Sequence, residues 1–138
     1  MIVPATDLNK YKVRTIFAGS RNYHGYATIA VHARQMVVEH GRDIVFISGD
    51  AKTGADALIK LWCIRNRQPV IPVPAQWTKF SKNAGFIRNT LMSRMGTHLV
   101  AFWDGQSRGT KHMIEQAKFR NLAVKVIEIQ IEKEKPWQ

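Results

Sequence analysis

Apolar residues follow two rhythms along this chain, and the rhythms take turns. From Lys12 to Ala18, polar and β-branched or aromatic positions alternate into a strand that stops at Gly19-Ser20-Arg21. After a loop over Asn22 to Gly25, Tyr26 to His40 puts Ile29, Ala33, Met36 and Val37 on one helical face, with Gly41 as its stop. Ile44 to Ile47 is continuously apolar, as in a strand covered on both faces. A second helix follows Ser48 to Asp56 and takes Ala57, Leu58, Leu61, Trp62 and Ile64 as its apolar positions. Val70 to Pro74 reads as a third strand, and Pro72 and Pro74, which lack an N–H, make it very short or place it at an edge. A loop from Ala75 to Lys82 could fold over the strand ends, and from Asn83 a helical pattern runs through Ala84, Ile87, Leu91 and Met95 to Gly96. His98 to Trp103 is the fourth strand. The next helix, with Met113, Ile114 and Ala117 inward, ends at Asn121. Ala123 to Ile127 is the fifth strand; continued alternation at Ile129 and Ile131 predicts a long strand or one that extends onto a partner copy in a homo-oligomer.

Five strand-helix alternations predict an α/β fold, a Rossmann-like three-layer sandwich with a mainly parallel sheet of about five strands. The 138 residues make one domain, with residues 1–12 as a polar lead-in and 132–138 as a charged, mobile tail.

Composition narrows the class. With 45% hydrophobic and 22% charged residues the chain reads as globular, no apolar run approaches membrane-spanning length, and the first residues lack a secretory signal. A cytoplasmic location away from membranes is expected. The one cysteine, Cys63, allows no internal disulfide and reads as a packing thiol. His24, His32 and His40 share no metal-ligand spacing, so neither a metal nor a cofactor is expected. A net charge of +11 implies attraction to polyanions, but the 21 Lys and Arg residues are spread along the chain, which predicts non-specific rather than sequence-specific affinity for nucleic acid.

The candidate chemistry lies at three strand-to-helix junctions rich in glycine and hydroxyls: Gly19-Ser20-Arg21, Ser48-Gly49 onward, and Asp104-Gly105-Gln106-Ser107-Arg108-Gly109-Thr110. In an open parallel sheet these junctions share one rim, where ligands bind. Glycines there let backbone approach a ligand, and unpaired helical N–H groups with nearby hydroxyls cradle phosphate. The plainer reading is that Asp104-Gly105 is a turn, Ser107 or Thr110 a helix cap, Asp56 a first-turn acid, Arg88 a solvated side chain and Trp77 a loop anchor. Neither a GxGxxG fingerprint nor a Walker A sequence is present.

Five stretches in order, Gly19-Ser20-Arg21, Ser48 to Asp56, Ala75-Gln76-Trp77, Ala84 to Asn89 and Asp104 to Thr110, resemble the YspA-type (cpYpsA-related) branch of the SLOG superfamily across about residues 13 to 127. The resemblance implies a Rossmann-like fold that binds nucleotides or nucleotide-derived ligands. The superfamily also holds the LOG phosphoribohydrolases, the DNA-processing protein DprA and sensor domains of bacterial conflict systems. By resemblance to LOG enzymes, Gly109 and Thr110 form a phosphate turn and Arg88 is the helix arginine. Where those enzymes carry a glutamate three positions past the threonine, this chain has Met113. A methionine neither accepts a proton nor stabilises an oxocarbenium ion, so binding ranks ahead of N-glycosidic hydrolysis of nucleoside monophosphates. Asp104 is the weak catalytic candidate, and Asp56 and Asp50 are further stand-ins that spacing does not separate. The expected phosphate contacts are Ser20, Arg21, Ser107, Gly109 and Thr110, with Arg88 as a supporting charge and Asp56, Asn89 and Trp77 toward ribose or base. Gly19, Ser48, Gly49 and Gly105 complete the expected rim. A DNA- or RNA-binding accessory role is the third reading.

Overall fold

The structure, a computed structural model, describes residues 1–131, so the tail expected over 132–138 lies outside the described residues. Five parallel strands, β1 (Val13–Gly19), β2 (Ile44–Ser48), β3 (Val70–Pro72), β4 (His98–Trp103) and β5 (Ala123–Glu128), form one sheet in the order β3-β2-β1-β4-β5. The α-helices are α1 (Tyr26–His40), α2 (Gly54–Arg65), the single turn α3 (Trp77–Phe80), α4 (Ala84–Met95) and α5 (Arg108–Phe119). The chain works outward from β1 through β2 to β3, then returns to β1's other side for β4 and β5. That reversal puts α1 and α2 on one face, α4 and α5 on the other, and opens a crevice between the C-terminal ends of β1 and β4.

Strand alternation divides the core. Phe17, Ile44, Phe46, Val100 and Phe102 pack under Ile29, Ala33, Ile59 and Trp62, while Ile16, Val45, Ile47, Leu99 and Ala101 pack under Met92, Met95, Met113 and Ile114. Phe17 sits with its ring 5.5 Å from Phe46 and 5.7 Å from Phe102, both fully buried. Each such ring contributes about 1.5–3 kcal/mol by leaving water.

Two helices turn a different face inward from the one expected. In α2 the buried stripe is Ala55, Ile59, Trp62 and Cys63, and Leu61 and Ile64 are exposed. In α4 it is Ala84, Asn89, Met92 and Met95, while Ile87 and Leu91 face out. The cause is polar: Asp56 and Asn89 find partners inside the fold, and their burial sets the rotation. The lead-in also does more than expected. Its Ala5–Lys10 segment is a 3-10 helix, Val3 is buried, and Ile2 bridges Val70 in parallel, so β3's outer edge is partly covered. At the other edge β5 stops at Glu128; Ile129 and Ile131 turn into the α1/α2 layer. No helix among the described residues is long and apolar enough to cross a membrane.

Candidate functional site

A cavity of about 510 Å3 opens at the β1/β4 crevice. Its walls come from the end of β1 (Gly19, Ser20, Arg21, Asn22), from Trp77, from α4 (Gly85, Phe86, Arg88, Asn89) and from the β4–α5 turn (Asp104, Gln106, Ser107, Gly109, Thr110); Asp56 and Met113 line it too.

The β4–α5 turn is built by Asp104. Its Oδ1 accepts from the N–H of Gln106 at 2.9 Å and of Ser107 at 2.8 Å, and Gly105 supplies the positive φ of 82° that folds the loop back. Those two N–H donors hold the Asp104 carboxyl below the usual carboxylate range. Asp104 thus shapes the turn that carries it. Ser107 caps α5: its Oγ accepts from the Thr110 N–H at 3.4 Å and lies 3.0 Å from the Thr110 hydroxyl. Around Gly109 nothing lies where a side chain would stand, so backbone is open to the cavity there.

Opposite stands a polar cluster inside the fold. Asp56 is 8% exposed; its Oδ2 accepts from the Ala51 N–H at 3.3 Å and lies 3.8 Å from Arg88 Nη1. Burial pushes the Asp56 carboxyl up, and the Arg88 guanidinium pulls against it. Arg88 Nη1 also donates to the Gly49 carbonyl and its Nε to Asn89 Oδ1 at 3.2 Å. A Cβ on Gly49 would stand 2.6 Å from Arg88 Nη1 and 2.7 Å from Asp56 Oδ2, so a side chain there would have to displace that pair. Asn89 Nδ2 donates to the Gly109 carbonyl at 3.1 Å and meets His112 Nδ1 at 3.2 Å, tying α4 to α5. At the mouth the Arg21 guanidinium lies 5.3 Å from the Trp77 ring centre, with Trp77 47% exposed.

Of the residues expected from sequence, Gly19, Ser20, Arg21, Asp56, Trp77, Arg88, Asn89, Asp104, Ser107, Gly109 and Thr110 all line this cavity. Ser48, Gly49 and Gly105 do not. Ser48 is fully buried and its hydroxyl is used within its own turn, donating to the Asp56 carbonyl at 2.9 Å and accepting from the Asp50 N–H at 3.1 Å. Two of the three junctions therefore meet at one cavity, and the middle one reaches it only through Asp56. Sequence reasoning gave no role to Asn22, Lys82, Gly85, Phe86 or Gln106. Their signal was position alone, inside or beside the quoted stretches.

Residues 13–80 match the model of the family described as YspA, cpYpsA-related SLOG. That stretch, from β1 through α3, carries the family's pattern. Among solved structures, this chain is similar to DNA processing protein A (DprA) from Streptococcus pneumoniae, with a TM-score of 0.74 and 16% identity over 93% of this chain and 54% of that one. It is also similar to DNA processing protein A from Helicobacter pylori, whose structure concerns that protein's single-stranded DNA binding mode, with a TM-score of 0.70 and 14% identity over 93% of this chain and 71% of that one. At such identities the likeness is one of fold, and the chain spans about half the length of the Streptococcus structure. No curated protein matches it.

Proposed function

We propose that this chain binds a nucleotide or nucleotide-derived ligand, as a sensor or accessory protein, with the phosphate against Ser107, Gly109 and Thr110. Ser20 and Arg21 face it across the cavity, Arg88 supplies supporting charge, and Asp56, Asn89 and Trp77 border the space for ribose or base. One observation carries the reading: the hydroxyl-bearing turns after β1 and β4 open into the same cavity, at the sheet reversal where such folds hold ligands.

Binding is favoured over hydrolysis because both carboxyls on the cavity wall are already engaged within the fold. Asp104 accepts from the Gln106 and Ser107 N–H groups, Asp56 accepts from the Ala51 N–H beside Arg88, and Met113 adds only thioether surface. Release of free base from nucleoside monophosphates, abolished by Asp56→Asn or Asp104→Asn, would reverse that ranking. The nucleic-acid reading is favoured by the net charge of +11 and by the fold shared with a protein that binds single-stranded DNA. Retardation of single-stranded DNA at physiological salt that survives Arg21→Ala would move the function from the cavity to the basic surface.

The direct test is thermal shift with the four ribonucleoside 5′-monophosphates and their unphosphorylated nucleosides. A ligand that binds only the folded state adds about 2.7 kcal/mol of stability at a hundredfold excess over Kd. Monophosphates should raise Tm, nucleosides should not, and Ser107→Ala with Thr110→Val should remove the response. Equal shifts from both sets, or none from either, would refute the proposal.

A further inference from the structure

The main cavity is not alone at this rim. A neighbouring cavity of about 470 Å3 is walled by the β2–α2 turn from Gly49 to Thr53 and by Pro74 and Ala75 after β3. Arg21, Trp77 and Arg88 line both spaces. Arg21 and Trp77, an exposed cation and an exposed ring 5.3 Å apart, are thus common to both spaces. Such a pair offers a face to a nucleobase without a change in the surrounding backbone.

Charge repeats on the two sides. Lys82 belongs to the first cavity and Lys52 to the second, and among the described residues neither is in an ion pair. The acid beside Lys52, Asp50, is already matched by Lys60 at 2.8 Å. At about 510 Å3 the first cavity alone suits one nucleotide, since small-molecule pockets run roughly 300–1,000 Å3. A phosphate seated at Ser107 and Thr110 therefore leaves a second space of similar size with its own cation.

We infer that the site takes a nucleoside flanked by two phosphoryl groups, one at the β4–α5 turn and the other beside Lys52, with the nucleoside lying across Trp77. The inference rests on the nucleotide-binding reading above and adds the class of nucleotide. A free nucleoside 3′,5′-bisphosphate and the 5′-phosphorylated end of a nucleic-acid strand present this same chemistry.

Calorimetric titration with adenosine 5′-monophosphate, adenosine 3′,5′-bisphosphate and a 5′-phosphorylated oligoadenylate separates the cases. The expected result is at least about tenfold tighter binding of one doubly phosphorylated probe than of the monophosphate, from one charge-assisted contact. Lys52→Gln should collapse that ratio toward one, and Lys118→Gln, a surface change on α5 of equal charge, should leave it intact. Whichever of the two probes gains names the source. If monophosphate and both larger probes bind equally, or if Lys118→Gln lowers the ratio as much as Lys52→Gln, the second subsite is refuted while nucleotide binding stands. If none of the three binds, and the other monophosphates also fail, the underlying reading falls with it.

Discussion

Replacing Arg88 by methionine tests whether the polar cluster behind the cavity is held by charge. At 3.8 Å and an effective dielectric near 20, the attraction to Asp56 is about 4 kcal/mol. The side chains are 13% and 10% exposed and the gap exceeds a direct hydrogen bond, so about 3 kcal/mol is the better expectation at pH 8, near the lower end for breaking a buried pair. The deficit should shrink in acid. Burial already raises the Asp56 carboxyl, and without Arg88 it rises further. A carboxyl whose folded pKa exceeds its unfolded value costs stability that grows as pH rises from the unfolded to the folded value, and the cost is relieved as pH falls. At pH 5 the ionisation cost of an aspartate with an unfolded value near 3.9 cannot exceed about 1.5 kcal/mol, because beyond that it takes up a proton. Urea melts of wild type, Arg88→Met and Arg88→Met/Asp56→Asn at pH 8 and pH 5 provide the assay. The single variant should recover about 1.5 kcal/mol or more relative to wild type on acidification, and the double variant should show no such recovery. A deficit that is the same at both pH values would refute charge as the cause and leave only the lost contacts to Gly49 and Asn89.

Ser107→Ala removes the α5 cap and should cost about 1 kcal/mol in a thermal or chemical melt, independently of any ligand. Gly54→Ala should be far worse, because φ is +74° and a Cβ would stand 2.2 Å from the Ser20 carbonyl oxygen; loss of about 2 kcal/mol or more, or failure to accumulate folded protein, is expected, and a neutral result would contradict that packing. Cys63 is fully buried and its thiol is pushed up to about 12, so it should resist a thiol-specific reagent at pH 8 in the folded protein and react promptly in urea; quick labelling of the native state would show the thiol to be accessible.

How legible the molecule was in its sequence depended on what each residue faced. Strands were plain, because two covered faces demand unbroken apolar runs, and His98–Trp103 appears with the boundaries its pattern implied. The helix faces of α2 and α4 were not. Leu61, Ile64, Ile87 and Leu91 look like core residues, yet the inward places belong partly to Asp56 and Asn89, whose partners Arg88 and Gly109 come from other segments that no periodicity reveals. Ser48 stands apart for a related reason: a hydroxyl after a strand serves its own turn as readily as a ligand, and here it bonds to Asp56 and Asp50 of that turn. The bridge from Ile2 to Val70 left no trace at all, since a two-residue contact has no pattern to read.

The side chain of Asn89 reaches Arg88, Gly109 and His112 at once through contacts made within the fold itself. A wall braced in this way has lost its rotameric freedom during folding, so a guest entering the crevice has little left to freeze on that side. Association should therefore resemble a key entering a finished lock, with rates set by diffusion and charge steering and with the backbone around α4 and α5 superposable before and after.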